Sequence, residues 1–132
     1  DSEFYADFGD FTLELTLPRE YILASTGVLQ SARVGVKRKT LLVRGERVHD
    51  FAWAVYPRFR VFRKRVRLPS LGVDTEVLLY TYNNEGWARK KYMDALSWGL
   101  ELSARRFGPY PYKTLTIVDR KPQGAPEWST PP

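Results

Sequence analysis

A strict alternation of apolar and polar side chains near the start of the chain is the feature that most restricts the fold. Residues 11–17 read FTLELTL, so every second side chain is apolar. Successive side chains of a β-strand point to opposite faces, whereas a helix repeats every 3.6 residues. The segment therefore predicts a β-strand with one buried face, ended by Pro18.

The next segments predict a hairpin. Residues 34–43 have apolar ends around three basic residues, Lys37, Arg38 and Lys39, which suits a turn exposed to solvent. Glycine interrupts strands, so Gly45 is expected to end the second strand of this hairpin.

Two more extended segments follow. The run VHDFAWAV at 48–55 predicts a strand that Pro57 closes. Residues 58–68 are also extended. Apolar residues alternate from Phe59, but the alternation shifts by one position before Val66. We interpret that change as a bulge or a change of sheet.

The second half of the chain has a different character. Residues 69–72, PSLG, are the best candidate for a boundary between structural units, and 74–82 predict another strand. A helix then follows over 87–107, and Gly108 and the proline after it are expected to end it. One helical face is apolar, comprising Met93, Leu96, Leu100, Ala104 and Phe107. Residues 115–118 predict a short buried strand. The pattern is that of a β-rich α+β chain.

The charge is unevenly distributed. A formal net charge of +6 is concentrated in a basic block between Arg33 and Arg67. Such a block could bind phosphates, and a non-catalytic β-rich binding or scaffolding module is the alternative function that it allows. Because the basic residues alternate with apolar ones, we favour solvated strand faces, or a surface that meets another domain, and predict no nucleic-acid partner.

Few residues are suited to catalysis or metal binding. The chain has no cysteine, which excludes disulfides and thiolate metal sites, and its one histidine is His49. A lone histidine beside Asp50 is usually a hydrogen-bonded structural residue. No phosphate-binding loop, dinucleotide fingerprint or serine-hydrolase motif is present, and no apolar run approaches the roughly 20 residues that span a bilayer.

Three segments taken in order give a more specific indication. They are YADFGDFTLELTLPREYILASTGVL, then VHDFAWAV, then RRFGPYPYKTLTIVD followed by GAPEW. Together they resemble the zinc-dependent aminopeptidases of the aminopeptidase N and leukotriene hydrolase type, a gluzincin family. The resemblance spans nearly the whole chain, and FGPYPY after an amphipathic helix is its most specific part.

The resemblance implies two domains. Residues 1–68 look like the later part of an N-terminal, saddle-like β-sandwich domain, built of antiparallel sheets. Residues 73–132 look like the beginning of a thermolysin-like catalytic domain, with a strand, one long amphipathic helix and a strand. The proline and aromatic residues of FGPYPY are expected to have a structural role, packing at a corner.

The resemblance also implies a substrate-binding segment. Family members carry G-x-M-E-N at an edge strand of the active site, and Gly124, Ala125 and Glu127 occupy its place. The glutamate would hold the α-ammonium group of a peptide substrate, and Gly124 and Ala125 would offer backbone contacts. This chain departs from the pattern, with Pro126 for methionine and Trp128 for asparagine. Proline removes one backbone N–H from the strand.

The family's zinc ligands, an H-E-x-x-H helix and a later glutamate, are absent from these 132 residues. We therefore expect this chain alone to bind no catalytic zinc and to hydrolyse nothing, while zinc would be the cofactor and peptides the substrates of a longer parent metallopeptidase. An incomplete sheet would also expose strand edges, and we expect self-association through them.

Overall fold

The computed structural model describes residues 7–81 and 86–119, the side chains of 86–88 excepted. The described strands are β1 (Gly9–Pro18), β2 (Ile22–Ser25), β3 (Val28–Val34), β4 (Arg38–Val48), β5 (Trp53–Tyr56), β6 (Arg60–Leu68), β7 (Val73–Thr81) and β8 (Thr114–Asp119). A 3₁₀ turn (Pro69–Leu71) joins β6 to β7, and helix α1 (Gly86–Phe107) joins β7 to β8. The prediction of a β-rich α+β chain with antiparallel sheets and one long helix is confirmed for this part.

The first sheet is three-stranded and antiparallel, in the order β1-β4-β3. The alternating leucines of β1 lie beside apolar residues of β4, with Leu13 opposite Val43 and Leu15 opposite Leu41. Val43 and Leu41 are buried. The predicted strand at 11–17 and the predicted hairpin with its basic turn are confirmed.

The prediction that Gly45 ends the hairpin strand is wrong. Strand β4 continues to Val48, and Gly45 lies opposite Phe11 of β1. A side chain at Gly45 would lie 3.2 Å from the ring of Phe51, which stacks on Phe11 at a centroid distance of 5.5 Å. The glycine therefore gives room for an aromatic pair instead of interrupting the strand.

The second sheet is the antiparallel pair β2-β5. It carries Ala24, 1% exposed, into a small core with Phe59 and Tyr80. The prediction of one strand over VHDFAWAV is confirmed only in part. Val48 ends β4, residues 49–52 are in no strand, and β5 begins at Trp53.

The third sheet, in the order β6-β7-β8, is mixed. Strands β6 and β7 form an antiparallel hairpin, whereas β7 and β8 are parallel and are joined through α1. A parallel pair needs a long crossover, and the helix supplies it. One sheet face packs against α1 in a core that includes Val77, Leu79 and Met93.

The prediction of a bulge or change of sheet within 58–68 is wrong. Strand β6 pairs with β7 in one uninterrupted register from Arg60 to Leu68. Phe59 and Val61 belong to the core beneath the second sheet, whereas Phe62 and Val66 belong to the core beneath the helix. The apolar side chains switch from one face of the strand to the other because different elements cover the two faces of the third sheet.

Helix α1 buries the predicted face at Met93, Leu100 and Ala104, with Leu96 partly buried beside them. Phe107 was expected on this face, but it is 87% exposed because it is the last residue of the helix, beyond the sheet-covered turns. Gly108 follows with φ of 98° and donates its N–H to the carbonyl oxygen of Ala104, as predicted for a helix stop. The predicted strand at 115–118 forms within β8, but most of its side chains are only half-buried.

The predicted boundary at 69–72 lies inside a hairpin. Strands β6 and β7 pair from Leu68 opposite Val73 outward, so one sheet continues across the boundary. The division of the chain into domains at 1–68 and 73–132 stays a prediction.

The sheets have free edges within the described residues. Strands β1 and β3 each have one hydrogen-bonded neighbour, as do β6 and β8. Every residue of β3 is exposed. Self-association through such edges stays a prediction. Within the described part, no helix has both the length and the hydrophobicity that spanning a bilayer requires.

Candidate functional site

A cleft of about 630 Å³ lies where the first sheet meets the segment after the helix. One wall is formed by the turn between β2 and β3 and by the end of β4, including Gly27, Glu46 and His49. The other wall is formed by residues 110–116, the PYPY end of FGPYPY and the start of β8. Residues of all three segments that carry the family resemblance, including VHDFAWAV and FGPYPY, therefore meet at this cleft.

Tyr112 connects the two sides of the cleft through a hydrogen bond. Its hydroxyl donates a hydrogen bond of 2.9 Å to the carbonyl oxygen of Arg47. Arg47 has φ of 51°, the left-handed region that costs a non-glycine residue about 1–2 kcal/mol. Its N–H donates to Asp10 Oδ1 at 2.8 Å. The two hydrogen bonds hold Arg47 from both sides and offset that cost.

Tyr110 fixes the shape of the loop. Its ring packs edge-on against Tyr112 at 5.5 Å, and its hydroxyl donates to the carbonyl oxygen of Thr114 at 3.4 Å. Burial raises the pKa of Tyr110 above its usual value, with Tyr112 adding to the effect, so the phenol stays a neutral hydrogen-bond donor at ordinary pH. Thr75, 1% exposed, donates to the carbonyl oxygen of Tyr112 at 3.3 Å. The loop is thereby joined to β7. The prediction of corner packing is confirmed for Tyr110 and Tyr112, which are partly buried, but Phe107 and both prolines of FGPYPY are exposed.

The turn between β2 and β3 completes the wall. The hydroxyl of Thr114 donates to the carbonyl oxygen of Gly27 at 3.4 Å. Thr26 exchanges two hydrogen bonds with Ala52, at 2.9 Å from its own N–H and at 3.2 Å to its hydroxyl oxygen. The contacts place the turn between the start of β8 and the segment before β5.

His49 lies on the rim of the cleft. Its Nδ1 lies 3.2 Å from Asp50 Oδ2, and Phe8 packs edge-on against its ring at 5.5 Å. The imidazole side chain is 53% exposed and the carboxylate 82%. The prediction of a hydrogen-bonded histidine is confirmed. An exposed pair of this kind is not arranged to activate a nucleophile, which requires a third group in hydrogen-bond reach.

The predicted substrate-binding residues, Gly124, Ala125 and Glu127, lie outside the described residues. Within residues 7–81 and 86–119, no group of three or more His, Cys, Asp or Glu side chains could hold a metal ion. The two walls of the described cleft are joined by hydrogen bonds to main-chain carbonyl groups, from Tyr112 to Arg47 and from Thr114 to Gly27.

Many cations of the basic block are paired with carboxylates. Arg65 binds Asp74 through two hydrogen bonds, Nε to Oδ1 at 2.6 Å and Nη2 to Oδ2 at 2.8 Å. These bonds lower the pKa of Asp74, and the nearby charge of Arg67 lowers it further. Lys64 lies 3.5 Å from Asp94. Exposed pairs contribute little stability, but they neutralise this part of the block, in agreement with the interpretation as solvated strand faces.

Sequence reasoning named both FGPYPY and VHDFAWAV but did not predict that they line one cleft. Alternation and helical periodicity describe each element alone, and the hydrogen bond between Tyr112 and Arg47 joins residues 65 positions apart. A signal was nevertheless present, because a tyrosine packed at a corner usually finds a partner for its hydroxyl. Comparison with protein-family models and with curated proteins gives no match to this chain. The family resemblance therefore rests on the quoted segments.

Replacing Tyr112 with phenylalanine is expected to lower the free energy of unfolding by about 1 kcal/mol. The change keeps the ring that packs on Tyr110 and removes the hydrogen bond to the carbonyl oxygen of Arg47. Urea denaturation of both proteins measures the difference. Tyr92→Phe is the control, since Tyr92 is 43% exposed on the helix, and it should change stability by less than about 0.5 kcal/mol. Equal losses for the two variants would show that the Tyr112 hydroxyl does not hold the walls together.

Proposed function

We propose that this chain is part of a zinc-dependent aminopeptidase, joining the end of its N-terminal β-domain to the beginning of a thermolysin-like catalytic domain. The parent enzyme would remove N-terminal residues from peptides. These 132 residues would supply a substrate-binding segment and no zinc ligand. The hydrolytic activity would belong to the longer protein.

The observation that carries the proposal is that the segments quoted for the resemblance line one cleft. Arg47 at the end of β4, directly before VHDFAWAV, accepts a hydrogen bond from Tyr112 of FGPYPY. A junction between a β-domain and a catalytic domain needs such a contact to keep the two in a fixed orientation. The unit β7-α1-β8, with parallel strands and a crossover helix, is also the kind of element expected at the start of the second domain.

The role assigned to Glu127 follows from simple chemistry. An aminopeptidase must recognise a free α-ammonium group, and a carboxylate does so through charge-assisted hydrogen bonds. Extended backbone at Gly124 and Ala125 would pair with the substrate by strand addition. Pro126 removes one N–H from that edge, so the proposal expects substrate pairing to depend on the carbonyl groups around it and on Glu127.

The first test is the reading frame beyond the codon for Pro132. An H-E-x-x-H motif with a following glutamate would identify the parent as a zinc enzyme. A frame without this motif would contradict the proposal and would favour the non-catalytic binding or scaffolding module.

The second test uses the protein expressed with its native continuation. We expect about one zinc per chain and release of the N-terminal residue from peptides with a free amine but not from N-acetylated ones. Glu127→Gln should lower kcat/KM about 30-fold, because an amide cannot replace the charge-assisted bond to the ammonium group. Glu20→Gln is the matched control, since Glu20 is exposed, and it should leave kcat/KM unchanged. Unchanged activity in Glu127→Gln would remove that residue from the site.

A further inference from the structure

The turn between β3 and β4 presents apolar and cationic side chains together. We name it the basic tip and define it as Val36, Lys37, Arg38 and Lys39 with the adjacent Arg19. Val36 is 86% exposed, and Val34 at the end of β3 is 59% exposed. Val36 directly precedes three cations, so apolar and cationic side chains share one exposed surface.

The backbone of the basic tip is held in place. The N–H of Gly35 donates to the carbonyl oxygen of Arg38 at 2.8 Å, and the N–H of Arg19 donates to the carbonyl oxygen of Lys37 at 3.0 Å. Arg38 also pairs with Pro18 of β1. The turn is thereby tied to its neighbouring strands, so its backbone needs little ordering on binding.

The cations of the basic tip are available. Among the described residues, Arg19, Lys37, Arg38 and Lys39 form no ion pair, whereas Arg33, Arg44, Lys64, Arg65 and Arg67 each lie near a carboxylate. Glu20 lines the same shallow depression as Arg19 and Lys37, and one carboxylate leaves the tip with an excess of positive charge. Arg47, Arg58, Arg60 and Arg63 of the basic block also form no ion pair within the described residues, but they are not consecutive. At the tip, three such cations follow one another in sequence, and Arg19 lies beside Lys37.

The arrangement matches an anionic lipid surface better than a nucleic acid. Basic residues near an anionic leaflet are attracted to its headgroups, while an apolar side chain between them enters the interface. Lysine and arginine keep their charged ends at the headgroups while their stems lie along apolar surface. Single-stranded nucleic acids are held largely by aromatic stacking, and residues 34–39 contain no aromatic side chain.

We propose that the basic tip is a contact site for the surface of an anionic phospholipid bilayer, with Val36 entering the headgroup region and the four cations binding phosphate and carboxylate groups. The contact is peripheral and needs no spanning segment. It is independent of the aminopeptidase proposal, because it uses neither zinc nor Glu127. It would hold this part of the protein at a membrane surface.

The test is co-sedimentation of the full chain with vesicles of phosphatidylcholine alone and of phosphatidylcholine with phosphatidylserine. Each basic residue near an anionic leaflet strengthens partitioning about fivefold, so the four cations predict a preference of several hundredfold for the anionic vesicles at low salt. Lys37→Gln with Arg38→Gln should weaken that binding about 25-fold. Val36→Ser should weaken it about fivefold without changing its salt dependence.

The matched control removes equal charge elsewhere. Lys91→Gln with Arg106→Gln changes two exposed helix residues and should alter vesicle binding less than about twofold. Equal weakening by both double variants would mean that net charge alone drives binding and would overturn the proposal. The absence of a preference for anionic vesicles would overturn it, as would tighter binding to an oligonucleotide at the same salt, which would assign the tip to nucleic acid.

Discussion

Replacing Gly27 with alanine is expected to lower the free energy of unfolding by about 3 kcal/mol. Gly27 has φ of 90°, a conformation that L side chains rarely adopt, and an added Cβ would lie 2.5 Å from the carbonyl oxygen of Arg44. That neighbour is backbone of the central strand β4, so it cannot rotate away as a flexible side chain could. Chemical denaturation of the two proteins gives the difference.

The control for this substitution is another glycine of the same chain. Gly99 lies inside helix α1, and an added Cβ there would meet nothing within 4 Å. Gly99→Ala should therefore stabilise the protein by about 0.5–1 kcal/mol, because alanine loses less conformational entropy in a helix. If Gly27→Ala proved as stable as the parent chain, the turn would have to be placed differently against β4, and the cleft wall that it forms would be in doubt.

Replacing Leu79 with alanine is expected to lower the free energy of unfolding by about 3–4 kcal/mol. Leu79 is completely buried in β7, between Phe62 of β6 and Ile117 of β8, and belongs to the core beneath helix α1. The loss combines the removed apolar surface with a cavity that the rigid sheet cannot close. The same denaturation experiment measures it.

Leu29→Ala is the matched control, since Leu29 is also a strand leucine but is 54% exposed. It should change the free energy of unfolding by less than about 1 kcal/mol. A small effect at Leu79 together with a large one at Leu29 would contradict the placement of α1 on the third sheet. A single, sharp unfolding transition of the unsubstituted chain would further indicate that the hairpin β6-β7 couples the two predicted domains into one cooperative unit.

The two substitutions test different parts of the functional proposal. Gly27 reports on the cleft where VHDFAWAV and FGPYPY meet, and Leu79 reports on the strand–helix–strand unit that follows the predicted boundary. A loss at each site is compatible with an aminopeptidase fragment and equally with a scaffolding module. Only the reading frame and the activity of Glu127→Gln separate those two functions.

Local patterns determined much of the fold. The alternation at 11–17 was sufficient to predict β1. Side chains in a strand alternate between its two faces, and the apolar face is buried away from water. The spacing of Met93, Leu100 and Ala104 was sufficient for the buried face of α1, and Gly108 for its end. Each of these features depends on residues close in sequence.

The tertiary structure alone decided the features that depend on distant residues. The change of phase in β6 was read as a bulge, but it reflects two sheet faces covered by different elements. Gly45 was read as a strand end, but the aromatic pair Phe11 and Phe51 uses the space beside it. In the local sequence, a glycine that ends a strand cannot be told from one that leaves room for a ring. A bulge likewise gives the same shift of pattern as a strand whose two faces are covered by different elements. The packing partners that distinguish these cases lie elsewhere in the chain.

The same distinction applies to the functional proposal. The predicted resemblance to a peptidase and the role proposed for Glu127 come from the sequence by itself. The tertiary structure decided that Tyr112 binds the carbonyl oxygen of Arg47. It also decided that Lys64, Arg65 and Arg67 of β6 are in ion pairs, while the cations of the basic tip form none with the described residues. Contacts between residues far apart in sequence leave no period or spacing in the chain, so only the folded arrangement specifies them.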